Sequence, residues 1–215
     1  MTGPTHRKFS VSWACLLAIA MYRFNLISIN YYLALPLLFC IARYGALFPD
    51  VDHSWDKVKD KTFVNFIINK LIHLTGGSHR SWQTHSWDIY LVVCMSSVII
   101  PQKLLELGKI DSLNFEILRL ILYGFLAGWG SHLFSDMLTS AGVRLTCFSS
   151  SSKVALVPKN IGGLRFNTGD TWEAFVYKVV KFINIFLGMA CILYPMIDSG
   201  LHEKILAIFG LQLIK

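Results

Sequence analysis

Long apolar runs constrain the fold of this 215-residue chain more than any other feature. A helix crosses the roughly 30 Å hydrocarbon core of a bilayer with about 20 apolar residues. Hydrophobic residues make up 54% of the chain and charged residues only 15%, against roughly 45–50% and about 25% in ordinary globular domains. We therefore predict an all-α, polytopic membrane protein with about five apolar helices. The apolar runs are residues 11–22, 31–48, 89–107, 117–134 and 175–197.

The length favours one domain covering residues 1–215, since two independent domains would need a longer chain. Residues 149–170 are rich in Ser and Gly and predict an irregular loop, and residues 201–215 form an apolar tail too short to span a bilayer. Residues 54–74 are polar and then amphipathic, which favours a helix lying in the membrane interface. The pattern Gly124-x-x-x-Gly128 predicts close packing between helices.

Metal-binding residue types are concentrated in four short stretches rather than scattered. These are His6, residues 48–53 (FPDVDH), residues 79–86 (HRSWQTHS) and residues 132–136 (HLFSD). His132 and Asp136 are four residues apart, so on a helix they share one face and can bind one ion. They end an apolar run, where polar groups without a partner are costly. A His–Asp hydrogen bond that closes the helix is the structural alternative.

The order of the apolar runs predicts that these stretches meet. If the first and second runs form one hairpin and the third and fourth another, all four stretches emerge on the same side of the membrane. The first run also fits a signal peptide cleaved after Ala20, but cleavage there would remove His6.

The basic residues predict which side of the membrane carries the four stretches. Four Lys and Arg residues fall on the side away from the stretches: Arg23, Lys103, Lys109 and Lys204. Eleven fall on the same side as the stretches: Arg7, Lys8, Lys57, Lys59, Lys61, Lys70, Arg80, Arg144, Lys153, Lys159 and Arg165. By the positive-inside rule the site faces the cytoplasm, at the level of the lipid headgroups. The net charge of +7 would also suit nucleic acid, but no basic run is interleaved with aromatic residues.

The ligand types predict the chemistry. Imidazoles and carboxylates without thiolates favour zinc, with manganese or iron as alternatives. The stretches hold enough ligands for two or three ions, which can activate water and stabilise a leaving oxygen in phosphate-ester cleavage. Arg80 could hold a phosphate oxygen by a forked contact, with anchoring to a lipid headgroup as the alternative. Asp52 or Glu173 could carry the proton.

In their order along the chain, these motifs resemble the YdjM family of bacterial inner-membrane proteins. The resemblance includes Gly128-Trp129, the His132-x-x-x-Asp136 pair and Thr168-Gly169-Asp170-x-x-Glu173. The family is described as metal-dependent hydrolases. It is similar, more remotely, to zinc-dependent phospholipases C and fungal zinc nucleases, which are helical and hold three zinc ions with His and Asp.

The resemblance implies a set of metal ligands in this chain. The implied ligands are Asp50, His79, His85, His132 and Asp136, followed by His6 and His53. The chain departs from the family pattern at Ser81, where Gly is usual, and at Ser140, where Pro is usual. The fungal nucleases supply a further His shortly after their His-x-x-x-Asp pair, where this chain has residues 140–142 (SAG). Two ions are therefore the safer expectation.

The sequence thus predicts a multi-pass inner-membrane, metal-dependent hydrolase with its site facing the cytoplasm. It would cleave a phosphate ester, and the depth of the site favours a phospholipid or a lipid-linked phosphate. One alternative is a membrane-tethered nuclease. Another is a non-catalytic, metal-stabilised scaffold or partner-binding protein, in which ligands would saturate each ion. The bilayer is the predicted partner, and the sequence indicates no particular protein partner.

Overall fold

The protein is described here by a computed structural model that covers residues 1–58, 61–147, 153–156 and 167–198. The predicted tail (201–215) and most of the predicted loop (149–152 and 157–166) lie outside the described residues. The described residues are almost entirely helical, which confirms the all-α prediction. The helices are α1 (Gly3–Arg23), α2 (Tyr31–Gly45), α3 (Phe63–Leu74), α4 (Trp87–Glu106), α5 (Ser112–Met137) and α6 (Thr171–Asp198).

Two short elements connect the helices near one end of the bundle. A 3-10 turn, Phe48–Asp52, follows α2. Strand β1 (Val143–Arg144) pairs antiparallel with β2 (Lys153–Val154), which lies within the predicted irregular loop. The backbone N–H of Arg144 also donates to the carbonyl oxygen of His85, 3.3 Å away, so this pair is fixed to the segment before α4.

Within the described residues, four helical segments are long and apolar enough to cross a membrane, by length and composition: Tyr31–Asp52, Trp87–Glu106, Ser112–Met137 and Thr171–Asp198. They correspond to four of the five predicted runs. The remaining run lies in α1, which has 21 residues but begins with polar and basic side chains. Because α1 packs against α2, α5 and α6, its polar residues Thr5, His6 and Ser10 are buried by protein.

Helices α2 and α5 pack backbone to backbone, as the glycine pattern predicted. A Cβ atom on Gly128 would overlap the carbonyl oxygen of Ala42, and one on Gly45 would overlap that of Phe125. Only glycine allows this approach without moving one backbone away from the other. The contact fixes the end of α2, and the 3-10 turn after it, against the part of α5 that carries His132.

Helix α3 has the reverse of the polarity expected in water. Phe63 and Leu71 on its outer face are exposed, whereas Asn65 and Asn69 on its inner face are buried. With 12 residues, and so about 18 Å long, it is too short to span a bilayer. An apolar outer face suits contact with lipid, in agreement with the predicted interfacial helix.

The chain segments that carry the candidate ligands lie at one end of the bundle, called here the site end. His6 lies in the first turns of α1, and Asp136 in the last turn of α5, and their side chains are 3.5 Å apart. At the opposite end, the hydroxyl of Tyr31 at the start of α2 donates to the carbonyl oxygen of Cys191 near the end of α6, at 2.9 Å. The hairpin topology predicted from the sequence therefore brings the four stretches together.

Candidate metal centre

Two buried histidines each use one ring nitrogen in a hydrogen bond and leave the other free. Nδ1 of His132 lies 2.7 Å from the carbonyl oxygen of Ala46, which can only accept, so Nδ1 carries the proton. Nδ1 of His6 lies 2.7 Å from Oγ of Ser135. Because the Ser135 hydroxyl donates to the carbonyl oxygen of His132, the His6 ring is the donor in this contact. Each ring therefore has an unshared electron pair on Nε2, as a metal ligand requires.

Asp52 orients two further histidines. Its Oδ2 lies 3.0 Å from Nδ1 of His85, and its Oδ1 lies 3.1 Å from Nδ1 of His79. The hydroxyl of Thr84 and the backbone N–H of Ser81 also donate to Oδ2. Asp52 is fully buried behind the rings, an arrangement that fixes both tautomers with Nδ1 protonated. Its predicted role as a proton carrier stays a prediction.

The free nitrogen atoms converge on two carboxylates. Nε2 of His132 lies 3.3 Å from Nε2 of His85, 3.7 Å from Oδ2 of Asp136 and 3.9 Å from Oδ1 of Asp50. Nε2 of His6 lies 3.5 Å from Oδ1 of Asp136. Unprotonated nitrogens and carboxylate oxygens all present electron pairs, so a cation among them is favourable. Arg80 and the amino group of Met1 supply positive charge to Asp136 only.

The donor atoms fit a metal ion. They form three groups, and within each group the ligand atoms lie within 4.8 Å of one another: His6, His132 and Asp136; Asp50, His85 and His132; and Asp50, His53 and His79. Imidazole nitrogens with carboxylate oxygens are a donor set that zinc and related divalent ions accept. The residues of this cluster can therefore hold a metal ion, and the structure brings all seven predicted ligands into these groups.

The ligands Asp50 and His53 are held by the 3-10 turn after α2. Asn69 of α3 steadies this turn, because its side-chain amide donates to the carbonyl oxygens of Val51 at 2.6 Å and of His53 at 2.7 Å. The ring of His53 stacks on that of His79, with centroids 3.5 Å apart. The buried face of α3 thus positions the ligands of the third group.

A cavity of about 370 Å³ gives access to the cluster. Among its lining residues are His6, Asp50, His53, His79, Arg80 and Asp136. Arg80 has a φ of +62°, in the left-handed region that non-glycine residues seldom adopt. Its Nη2 lies 3.3 Å from Oδ2 of Asp136, and its Nη1 lies 3.4 Å from the carbonyl oxygen of Gly142. The guanidinium therefore faces the cavity beside the ligands.

Glu173 lines a neighbouring cavity rather than this one. Its Oε1 accepts from the backbone N–H of Thr2 at 2.6 Å and from the Thr2 hydroxyl at 2.7 Å, and its Oε2 accepts from the N–H of Gly169. The amino group of the adjacent Met1 lies 2.8 Å from Oδ1 of Asp136. Glu173 therefore fixes the segment that leads to the cluster, and its predicted role in proton transfer stays a prediction.

The sequence analysis did not identify Ser135 or Asn69 as parts of the site. Ser135 lies inside the His132–Asp136 motif, one residue before Asp136. That position could have identified it as part of the site. Asn69 carried a weaker signal, as a polar residue within the predicted interfacial helix.

The environment shifts the pKa values of two histidines in opposite directions. Burial alone would lower the pKa of His85, but the hydrogen bond and negative charge of Asp52 outweigh it and raise that pKa above its ordinary value. Burial, together with the charge of His79, lowers the pKa of His53. Because a histidine ligand binds a metal through an unprotonated nitrogen, protons compete with the metal for Nε2 of His85.

Asp52→Asn is expected to weaken zinc binding about 10- to 100-fold, as loss of a ring's orienting partner does in other metal sites. The side-chain amide of Asn has one oxygen instead of two, so it can accept from Nδ1–H of only one of the two rings. Its NH2 group would then face Nδ1–H of the other ring, and that hydrogen bond would be lost. Titration of zinc against a competing chelator measures the effect. Asp111→Asn is the matched control, because Asp111 caps α5 at the opposite end and Asn caps helices equally well. Equal zinc affinity in both variants would contradict this role.

Taken together, the fold and the cluster define a helical membrane protein with a buried histidine–carboxylate centre at one end of its bundle. The family model of the YdjM inner membrane protein matches residues 1–199, and the chain belongs to this family. The family resemblance predicted from the motifs is thereby confirmed. Comparison with curated proteins and with solved structures gave no match.

Proposed function

We propose that this protein is a membrane-bound, metal-dependent hydrolase that cleaves a phosphate ester of a phospholipid or a lipid-linked phosphate. The observation that carries the proposal is the convergence of histidine nitrogens and two carboxylates on one open cavity beside Arg80. A purely structural metal site would have its ligands closed around each ion, whereas a catalytic site leaves a position open.

Two zinc ions suit these donors better than three. His132 has one electron pair to give, because its Nδ1 donates to the carbonyl oxygen of Ala46, so it binds a single ion. Asp50 belongs to two of the groups and has two oxygens, so it can join two ions. One ion would then be held by His6 of α1, by His132 and Asp136 of α5, and by His85. The other ion would be held by His53 and His79.

The residues around the cavity have separable roles. Zinc held by these ligands supplies Lewis-acid activation of water and of a phosphate oxygen. Arg80 faces the same cavity and can hold a phosphate oxygen by a charge-assisted hydrogen bond. Asp52 keeps the rings of His79 and His85 oriented, so that the donor atoms are in place before the substrate arrives.

The site end faces the cytoplasm of the inner membrane in this proposal. Arg7, Lys57 and Arg80 lie at the site end, whereas Arg23 and Lys103 lie at the opposite ends of α1 and α4. This distribution follows the positive-inside rule. The cavity also lies where apolar helical segments end, which is the depth of lipid phosphates and supports a lipid substrate.

The test is hydrolysis by zinc-loaded protein in lipid nanodiscs. The substrates are phosphatidylglycerol, phosphatidic acid and a polyprenyl diphosphate, with single- and double-stranded DNA in parallel, and product formation is followed by mass spectrometry. We expect cleavage of a lipid and none of DNA. DNA cleavage alone would favour the nuclease, and stoichiometric zinc without any hydrolysis would favour the scaffold.

Arg80→Gln is expected to lower kcat/KM for the cleaved lipid about 10- to 100-fold, the effect of losing one hydrogen bond from a charged group. Arg23→Gln is the matched control, since it removes the same charge at the opposite end of the bundle. Zinc content should be unchanged in both variants. A kcat/KM for Arg80→Gln equal to that of the control would contradict the role of Arg80.

A further inference from the structure

A second cleft at the site end is distinct from the metal cavity. It has a volume of about 260 Å³ and shares no lining residue with the cavity at the cluster. It lies between the first turns of α1, the last turn of α2 and the second turn of α6. Its lining residues are Pro4, Arg7, Lys8, Val11, Arg43 and Tyr177.

Three cations meet in this cleft without a neighbouring acid. Among the residues that the structure describes, Arg7, Lys8 and Arg43 form no ion pair, and no acidic residue lines the cleft. Glu173, one turn before Tyr177 on α6, is engaged by Thr2 and Gly169 instead. Arg7 and Arg43 are exposed and Lys8 is half-buried, so the cleft presents to an anion three positive charges that no acid of its lining offsets.

The cleft is held in place by contacts between α1 and α6. The side-chain amide of Asn184 donates to the carbonyl oxygen of Lys8 at 2.9 Å, and the hydroxyl of Ser12 donates to Oδ1 of Asn184 at 2.5 Å. Nζ of Lys8 lies 5.9 Å from the centroid of the Tyr177 ring. The basic groups are thus attached to a fixed framework rather than to a loop.

An exposed apolar surface continues from the cleft along α2. Cys40, Leu37 and Leu33 follow Arg43 towards the opposite end of the bundle, and all three are exposed. They lie within the candidate membrane span Tyr31–Asp52, so this surface faces hydrocarbon. A ligand with an anionic head and apolar chains would match the charged cleft and the apolar surface below it.

We infer that this cleft binds the phosphate of an anionic phospholipid, whose acyl chains lie along α2. Basic pockets between membrane helices at the cytoplasmic surface bind anionic headgroups in this way. The lipid would hold α1, α2 and α6 together at the site end. The inference concerns binding and does not depend on hydrolysis at the metal cavity.

The test is a titration of delipidated, zinc-free protein with dioleoyl phosphatidylglycerol, followed by native mass spectrometry. The wild type is expected to bind one lipid tightly. The triple variant Arg7→Gln, Lys8→Gln, Arg43→Gln is expected to bind it on the order of 100-fold more weakly, from about fivefold for each charge. The triple variant Arg23→Gln, Lys103→Gln, Lys109→Gln removes the same charge from the opposite end and should keep wild-type affinity.

Two further arms identify the ligand class. Dioleoyl phosphatidylcholine, with the same chains and no net charge, should bind weakly, and millimolar inorganic phosphate should not displace phosphatidylglycerol. Displacement by inorganic phosphate would identify a site for the free ion and overturn the lipid assignment. Equal affinity in the two triple variants, or for the two lipids, would also overturn it. The variant Arg7→Lys, Arg43→Lys keeps the charges and should retain binding, which separates loss of charge from loss of folding.

Discussion

The variant His132→Ala is expected to lose at least one of the two zinc ions that we propose for the purified protein. Nε2 of His132 belongs to two of the three ligand groups and lies within 3.9 Å of His85, Asp136 and Asp50. Removing the ligand itself should weaken binding by more than the roughly 10- to 100-fold that loss of an orienting partner causes. Elemental analysis of protein purified without chelators measures the zinc content per chain.

Two comparisons make this result specific. Asp136→Ala should lose zinc in the same way, because its carboxylate lies beside His132 on the same face of α5. Asp111→Asn is again the matched control, since Asp111 caps α5 at the opposite end of the bundle and lies outside the three groups. Wild-type protein that contains no metal, or His132→Ala that retains as much zinc as the wild type, would contradict the proposed centre.

The variant Gly128→Ala is expected to fold poorly or to lose much of its thermal stability. The added Cβ would overlap the carbonyl oxygen of Ala42 and crowd the backbone nitrogen of Ala46. These are backbone atoms, which cannot rotate away as a side chain can. Overpacking of a tight contact costs about 1–3 kcal/mol and occasionally more, and here it also moves the turn that carries Asp50 away from α5. Thermal unfolding in detergent, followed by circular dichroism, measures the loss.

Gly188→Ala on α6 is the matched control for this prediction. A Cβ on Gly188 meets no atom within 4 Å. Because alanine favours a helix by about 1 kcal/mol over glycine, this variant should melt at the wild-type temperature or above it. Equal melting temperatures for the two variants would show that α2 and α5 do not pack as closely as described.

The sequence predicted both the helices and the convergence of the ligands, each for a different physical reason. Apolar runs long enough to cross a bilayer can form little except helices, so the elements followed from composition and length. Two hairpins of such helices must return to the same side of the membrane, so the four stretches could be brought together without any structural information. The glycine pattern similarly predicted close packing of a helix against Gly124 and Gly128, because small residues allow backbones to approach. The structure shows that this helix is α2.

The direction of individual side chains could not be derived in this way. Asp50 and Asp52 are two residues apart in one motif, and only the 3-10 turn separates an acid that faces the cavity from one buried behind the rings. The tautomers of His6 and His132 depend on hydrogen bonds to Ser135 and to a backbone carbonyl group, and the sequence pattern does not show that these bonds form. Glu173 is distant along the chain from the segment that it holds, so its contact with Thr2 could not be foreseen.

The reversed polarity of α3 has a consequence for how the protein matures. Its buried Asn69 holds the turn that carries Asp50 and His53, while its exposed apolar face is stable only against lipid. A newly made chain that has not entered the membrane would expose this apolar face to water, which disfavours α3 in this position. We expect the ligands of the second ion to be assembled only after insertion, so that the chain acquires its full complement of metal at the membrane and not in the aqueous cytoplasm.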